Sequence, residues 1–349
     1  MILYSLVFLS LSALGQATAS GTQPAALDRL QVPITLTDGT KNAVVRTRHD
    51  LGFRLASSAP VTFTADLVTL KAALQRLAPA FKQEAIGAHP ELATNKTIKI
   101  IPGTYARTLN VPSTAQRLLE AVTKDPTTTR FLVTLEKTPP DLSVEKLKGI
   151  KGILARFTTK TSAVVKRNHN ISIATESIDG MLLSAGETFS LNEVVGKRTQ
   201  ARGYQTAMVF VAAEKVPGVG GGVSQVTGTL FNAAALAGLR IDAVNPHSRP
   251  VSYLPLGRDA TVAYGDKDLI FTNTTGGPVY IGYSFIGQTL QATLWGAPQL
   301  GRTVTLTPCI VHLGPGRIDA ELYRTIKVRG KVVQKERLLR HQYRWKPKS

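Results

Sequence analysis

Hydrophobic and polar positions alternate in short runs over much of the chain, which is the pattern of half-buried β-strands. Two such runs, residues 31–36 and 43–48, flank the dipeptide Asp38-Gly39, and this combination predicts a β-hairpin. A second hairpin is predicted near the end of the sequence, where residues 324–328 and 332–338 flank a short turn.

Two early segments repeat apolar residues at helical spacing instead. They are residues 66–81 and, more briefly, residues 113–123, for which Ser113 is a candidate N-cap. A strand is predicted after each helix, at residues 97–101 and 130–136. Helices and strands therefore mix in the first part of the chain, as in a small α+β module.

The chain has 349 residues, which is enough for two domains. We predict a small α+β module over residues 21–150. Residues 151–300, rich in Gly, Asn, Thr and short strands, form a second domain, and residues 301–349 extend that domain as a basic β-hairpin. The predicted fold class is α+β and β-rich.

Residues 1–20 have the pattern of a secretory signal peptide. An apolar run from Ile2 to Leu14 is followed by small residues that end in Ala17-Thr18-Ala19, an A-x-A cleavage pattern. The run is too short to span a bilayer, and no later stretch reaches transmembrane length. We therefore expect an exported protein that is periplasmic, cell-wall-associated or extracellular. The alternative is a buried N-terminal strand or helix.

The net charge is +19, which favours an anionic partner such as a cell-wall polymer, a membrane surface or a nucleic acid. Export makes nucleic acid a poor candidate. Residues 301–349 hold twelve Lys and Arg against three Asp and Glu. This segment, with Tyr343 and Trp345, could contact a membrane surface peripherally or stack on sugars. The alternative is a solvated edge hairpin, since Lys and Arg protect exposed strand edges.

The numbers and positions of the cysteine and histidine residues exclude several kinds of site. The single cysteine, Cys309, excludes an intrachain disulfide and a multi-cysteine metal site, and we expect it to be a small buried side chain. The six histidines have no metal-ligand spacing. The sequence therefore predicts no metal and no cofactor.

The most informative stretch is the glycine run Gly220–Gly222 ahead of Ser224. Three successive glycines predict positive φ and close approach of another backbone or of a ligand. A helix is predicted over residues 225–237, with Gly238 as its C-terminal glycine and a strand at residues 239–244. Ser224 would then lie at a helix N-terminus, where backbone N–H groups and the helix dipole favour anions.

Two interpretations of Ser224 are open. Serine is a favoured N-cap, so its hydroxyl could satisfy a backbone N–H of the helix. Alternatively, Ser224 is a nucleophile, which requires an adjacent base. The nearest candidate in sequence is His247, beyond the predicted strand.

Several motifs between residues 157 and 285 occur in the order of a known family. They are Ala185-Gly186-Glu187-Thr188-Phe189-Ser190-Leu191-Asn192, Gly196-Lys197-Arg198-Thr199, Gly220-Gly221-Gly222-Val223-Ser224-Gln225, Pro246-His247-Ser248, Tyr253-x-Pro255-x-Gly257-x-Asp259-Ala260-Thr261-Val262 and Asp268-Leu269-x-Phe271-x-Asn273. This segment resembles the VanW family of bacterial exported proteins. Residues 60–140 more faintly resemble the peptidoglycan-binding module that often precedes VanW domains.

The resemblance implies an exported, cell-wall-linked protein. Some family members resemble L,D-transpeptidases, which crosslink peptidoglycan stem peptides through a cysteine acyl-enzyme. The resemblance places the nucleophile at Ser224 and a candidate base at His247. It also implies that the backbone of Gly220, Gly221, Gly222 and Gln225 flanks the oxyanion. Four further residues would shape or orient the site: Asn192, Arg198, Tyr253 and Asp259.

The chain departs from the family motif at the reacting atom, because Ser224 stands where the motif has cysteine. A helix N-terminus and a histidine can produce a thiolate, but a serine hydroxyl is far less acidic. We therefore expect a relative that binds peptidoglycan, or another anionic envelope polymer, without catalysis. The alternatives are L,D-transpeptidase-like acyl transfer by Ser224 with His247 as base, and a structural or interaction protein of the envelope.

Overall fold

The computed structural model describes residues 28–94, 97–211 and 214–345. The predicted signal peptide lies outside the described residues. The chain divides into two compact units, of which the first comprises the residues up to Ile86 and Tyr105–Pro139. The second comprises Gly87–Thr104 and the residues from Pro140 onward.

The first unit combines two helices with short strands. Its helices are α1 (Leu67–Leu77), which continues into a 3-10 turn at Ala78–Phe81, and α2 (Val111–Lys124). Its strands are β1 (Pro33–Thr37), β2 (Ala43–Thr47), β3 (Phe53–Ser58), β4 (Val61–Ala65), β7 (Ala106–Leu109), β8 (Arg130–Leu132) and β9 (Leu135–Thr138).

Strand β1 lies between β2, its antiparallel hairpin partner, and β8, which runs parallel to it. Strands β3 and β4 pair with each other, as do β7 and β9. One core lies between these strands and the buried faces of α1 and α2, and it contains Leu36, Leu74 and Leu118. The predicted hairpin and both helices are confirmed. Ser113 is not the N-cap of α2, because Asn110 holds that position and accepts the Ser113 N–H.

The second unit is built mainly from antiparallel strands. Its helices are α3 (Val165–Ile178), α4 (Leu191–Val195) and α5 (Val223–Ala237), with 3-10 turns at Glu145–Leu147 and Gln200–Arg202. Its strands are β5 (His89–Leu92), β6 (Ile98–Ile101), β10 (Gly152–Lys160), β11 (Met181–Leu183), β12 (Thr188–Ser190), β13 (Thr206–Val211), β14 (Glu214–Val219), β15 (Arg240–Ala243), β16 (Ile270–Thr272), β17 (Val279–Ile286), β18 (Thr289–Gly296), β19 (Arg302–Gly314), β20 (Arg317–Val328) and β21 (Lys331–Arg344).

Helix α5 occupies the centre of this unit. Thirteen of its fifteen residues are buried, as in a helix that is covered on every side, and it packs against β10, β18 and α3. The surrounding sheets have the orders β10-β18-β17-β11 and β12-β16-β15. Leu230 and Phe231 of α5 are completely buried in the resulting core. This core fixes the position of the N-terminus of α5, where Ser224 lies.

The C-terminal strands form a separate three-stranded sheet with the order β19-β20-β21. Strands β20 and β21 form the predicted hairpin, and both continue further from the turn than predicted. The prediction that Cys309 is buried is wrong, because it lies exposed on the edge strand β19. The β-rich α+β fold class with a C-terminal hairpin is confirmed. No helix within the described ranges is long and apolar enough to cross a membrane.

Candidate functional site

The glycine turn before α5, Gly220–Gly222, packs against other backbone segments of the same chain. Gly222 is the N-cap of α5 with φ of 115°, and Gly220 has φ of 85°. A Cβ atom on Gly221 would lie 2.6 Å from the carbonyl oxygen of Met208, and one on Gly222 would lie 3.0 Å from that of Arg167. The predicted close approach is therefore made to the backbones of β13 and α3. The glycines are required for packing, which the sequence interpretation did not foresee.

Ser224 lies in the first turn of α5, one residue inside the helix. The N-cap interpretation of this serine is wrong, because Gly222 holds that position and no side chain caps the helix. The Ser224 hydroxyl is instead 3.1 Å from the hydroxyl of Thr261. Thr261 also donates its N–H to the carbonyl of Asn245, at 2.7 Å. Ser224 is thus linked to the segment that leads into His247.

His247 forms a buried pair with Asp259. The two heavy atoms, Nδ1 of His247 and Oδ2 of Asp259, are 2.8 Å apart, and the backbone N–H of His247 donates to the same oxygen at 3.0 Å. Side-chain exposure is 4% for His247 and 1% for Asp259. With Nδ1 donating to Asp259, Nε2 is the ring nitrogen that does not face the carboxylate. An imidazole and a carboxylate that fixes its orientation are therefore paired close to Thr261, which follows Asp259 by two residues.

Two further side chains hold the Asp259 carboxylate, and both come from β21. The Tyr343 hydroxyl donates to Oδ1 of Asp259, and Nε2 of His341 lies 3.2 Å from the same oxygen. Burial alone would raise the pKa of Asp259, but hydrogen bonds from His247 and His341 lower it well below the ordinary range. Asp259 is consequently a stable anion inside the protein. The expectation that Tyr343 could contact a membrane surface or stack on sugars is wrong, since Tyr343 is completely buried.

Gln225 links the start of α5 to β10 and α3 through side-chain hydrogen bonds. Its side-chain NH₂ donates to the Thr159 hydroxyl at 2.9 Å and to the Lys160 carbonyl at 3.0 Å, and its oxygen accepts from Arg167 at 2.7 Å. The Arg167 guanidinium lies 5.8 Å from the centre of the Tyr253 ring. Burial raises the pKa of Tyr253, so its phenol stays protonated. Gln225 and Tyr253 thus position Arg167 beside the turn.

Asn192 and Arg198 form a second polar cluster, which contacts the turn at Gly220. Asn192 accepts a hydrogen bond of 2.6 Å from Nη1 of Arg198, and its NH₂ group donates to the carbonyl of Lys267 at 3.0 Å. The Arg198 side chain packs so closely on Gly220 that a Cβ there would lie 2.7 Å from it. Burial lowers the pKa of Arg198 from the usual arginine value. The turn is therefore flanked by two half-buried arginines.

The structure brings the predicted site residues into one region, with Ser224 and His247 on neighbouring segments. Their hydrogen bonds run to Thr261 and Asp259, respectively. Arg167, His341 and Tyr343 were not predicted as site residues. Arg167 precedes the first motif, and the two β21 residues are far away in sequence, so only their pairing in the fold reveals them. Within the described ranges, no group of His, Cys, Asp and Glu could hold a metal ion.

The part of the chain that contains the glycine turn and His247 is similar to known proteins. Residues 166–295 match the family model described as VanW like protein. The chain is 41% identical over 155 residues to the uncharacterized protein YoaR of Bacillus subtilis (strain 168), which covers 44% of this chain and 51% of that relative. The chain thus spans about half the length of the curated relative it matches. The comparison with solved structures found no match.

Proposed function

We propose that this protein, which carries a VanW-like domain at residues 166–295, binds peptidoglycan stem peptides at the turn Gly220–Ser224. In this proposal Ser224 contributes to the binding surface and is not an acyl nucleophile. The resemblance of residues 60–140 to a peptidoglycan-binding module stays a prediction.

The observation that carries the proposal is the hydrogen bonding of Ser224. Its hydroxyl pairs with Thr261, and Nδ1 of His247 pairs with Asp259. A serine hydroxyl becomes a nucleophile only when a base removes its proton in tuned geometry, whereas a thiol at a helix N-terminus ionises far more readily. A site built around a thiolate therefore retains its binding surface when serine replaces the cysteine, but loses reactivity.

The positive charge of the protein also supports the binding of stem peptides. Stem peptides carry carboxylates, and guanidinium groups bind carboxylates with paired, charge-assisted hydrogen bonds. Arg198 packs on Gly220 and Arg167 packs on Gly222, and the whole chain has a net charge of +19. An anionic polymer would therefore be attracted to the protein, and the two arginines would supply local contacts.

Sedimentation with purified sacculi at low salt tests the proposal. A Ser224→Cys, Cys309→Ser variant labelled with a bulky maleimide carries the label at the turn, and the wild type labelled at the exposed Cys309 is the matched control. We expect the wild type and the Cys309-labelled protein to sediment and the protein labelled at the turn to stay in solution. Soluble disaccharide-tetrapeptide should release the bound protein. Failure of the wild type to sediment would overturn the proposal, as would equal sedimentation of both labelled proteins.

A second candidate function is acyl transfer, which the buried His247–Asp259 pair favours. In this reaction the Ser224 oxygen attacks a stem-peptide carbonyl, His247 passes the serine proton to the leaving amine, and an acceptor amine then releases the acyl group. Mass spectrometry after incubation with disaccharide-tetrapeptide and an acceptor separates the candidates. An adduct or crosslinked product from the wild type, absent in Ser224→Ala, establishes catalysis. A product from Ser224→Cys alone supports the binding proposal.

Export is also part of the proposal, and the apolar run Ile2–Leu14 with the small residues after it supports this. We expect the mature protein in the cell-envelope fraction to begin near Ser20. Determining the N-terminus of the protein isolated from that fraction tests this expectation. An intact N-terminus on a protein recovered from the cytosol would contradict it.

A further inference from the structure

Strand β21 places two buried side chains beside the candidate site. His341 and Tyr343 are two residues apart, so both point to the same face of the strand, and both are completely buried. They lie outside residues 166–295, the segment matched by the family model. The C-terminal sheet therefore contributes side chains to a site that the matched segment contains only in part.

The contacts of these side chains converge on Asp259. The Tyr343 hydroxyl donates to Oδ1 of Asp259 and accepts the N–H of Gly257 at 2.9 Å. Nε2 of His341 lies 2.9 Å from the carbonyl oxygen of Asp259 and 3.2 Å from its Oδ1. Both the backbone and the side chain of Asp259 are thus fixed from β21.

We infer that His341 and Tyr343 are positioning residues, which hold Asp259 and through it fix the tautomer and orientation of His247. This inference rests on the proposed function for the ligand that His247 would meet. Without the two donors from β21, the hydrogen bonds that the buried carboxylate would keep from side chains and backbone of the described residues are the two from His247. It would then depend much more strongly on the protonation of that imidazole.

The two histidines around Asp259 have different roles. Nδ1 of His341 is buried and has no hydrogen-bond partner among the described residues. A proton there would be an unsatisfied buried donor, so the contacts favour the tautomer of His341 that donates from Nε2 to Asp259. His247 instead meets the carboxylate through Nδ1 and its backbone N–H. The other titratable groups facing the carboxylate are the phenols of Tyr343 and Tyr253, whose pKa values burial raises, so both remain neutral.

Nuclear magnetic resonance of the ¹⁵N-labelled histidines tests the inference in the full-length protein. The His247 signal is assigned by its loss in His247→Gln, and its protonation midpoint is followed against pH. We expect Tyr343→Phe and His341→Met to raise the His247 midpoint by about one unit, because the carboxylate loses a donor and favours a charged partner. In His341→Gln the amide can donate from the same place, so the midpoint should stay near that of the wild type.

A matched control is available on the neighbouring strand. Tyr323 donates to Glu321 at 2.6 Å, so Tyr323→Phe also removes a tyrosine–carboxylate hydrogen bond but not one near His247. It should leave the His247 midpoint unchanged. An unchanged midpoint in folded Tyr343→Phe and His341→Met would overturn the inference. If Tyr343→Phe does not fold, the contrast between His341→Met and His341→Gln decides the question.

The same measurement separates this inference from the proposed function. Sacculus binding by the wild type is measured on the same samples. If the wild type fails to sediment while the His247 midpoint shifts as expected, the binding proposal fails and the positioning role stands. If the wild type sediments and the midpoint does not move, the binding proposal stands and the positioning role fails.

Discussion

Gly221 lies where the backbone of the turn before α5 meets the backbone of β13. A Cβ atom there would be 2.6 Å from the carbonyl oxygen of Met208, and backbone atoms cannot move aside as a flexible side chain can. We expect Gly221→Ala to lower the free energy of unfolding by about 2 kcal/mol or more, in line with other overpacking substitutions. Urea unfolding followed by circular dichroism measures this loss.

Gly277 provides the matched control for that substitution. It lies in the same unit, has no positive φ, and a Cβ atom there would meet nothing within 4 Å. Gly277→Ala should therefore change the free energy of unfolding by about 0.5 kcal/mol or less. Equal effects of the two substitutions would show that the close approach at Gly221 is not what requires glycine there.

Gln225 makes a second prediction at the residue scale, because it is buried and its side chain makes three hydrogen bonds. Gln225→Met keeps the approximate volume but leaves the partners of the amide unsatisfied. We expect a loss of about 2–4 kcal/mol in the free energy of unfolding, since unsatisfied buried polar groups keep their full desolvation cost. Gln291→Met, at a half-buried strand position, is the control. A loss at Gln225 no greater than that at Gln291 would contradict the structural role.

At the residue scale, the sequence could point to residues within a motif but not to residues that long-range pairing brings to them. The motif drew attention to Ser224, His247 and Asp259, which the structure places on neighbouring segments. It gave no indication of Tyr343, because the contact between Tyr343 and Asp259 depends on how β21 packs in the fold. The close approach at the glycine turn was predicted, but its partner was not, since nothing in the local sequence shows that β13 lies against the turn.

At the element scale, the carboxylate of Asp319 joins strands β20 and β21 at one end of the C-terminal sheet. Asp319 on β20 accepts hydrogen bonds from Arg317 on the same strand and from Arg344 on β21. These hydrogen bonds, from Arg317 first and then Arg344, lower the pKa of Asp319 to about 2. Asp319 therefore links the two strands of the hairpin while it is charged.

This linkage makes the stability of the sheet depend on pH in acid. The unfolded pKa of an aspartate is about 3.9, so the folded value is the lower one and the stabilisation is complete above about pH 4. It is lost as the pH falls towards 2. We expect Asp319→Asn to be less stable than the wild type at pH 6, with a difference that shrinks between about pH 4 and pH 2. Urea midpoints across this range measure it, with the exposed Asp141→Asn as control, and a constant difference would contradict the assignment.

Elements with a strong local pattern were predicted well. Apolar spacing over residues 66–81 gave α1 and its 3-10 extension, and Gly238 ends α5 in a left-handed conformation as expected. The start of α5 was predicted two residues late, because the apolar pattern does not show that Gly222 serves as the N-cap. Strand pairing was mostly beyond prediction, since the order β10-β18-β17-β11 joins strands that are distant in sequence.

At the scale of the whole molecule, each of the two units has a core of its own. Leu74 of α1 is completely buried in the core of the first unit, and Leu230 of α5 is completely buried in the largest core of the second. Composition and periodicity predicted a β-rich α+β chain. They could not show that residues 87–104 fold with the second unit, because this grouping depends on contacts with residues far along the chain.

Separate cores predict two unfolding transitions, since each core is the cooperative unit that holds its own elements together. Leu74→Ala and Leu230→Ala remove equal side-chain volumes, and each should cost its own unit about 2–5 kcal/mol. Differential scanning calorimetry should show that Leu74→Ala lowers the melting temperature of one transition and Leu230→Ala that of the other. A single transition that both substitutions lower to the same extent would mean that the two cores unfold as one.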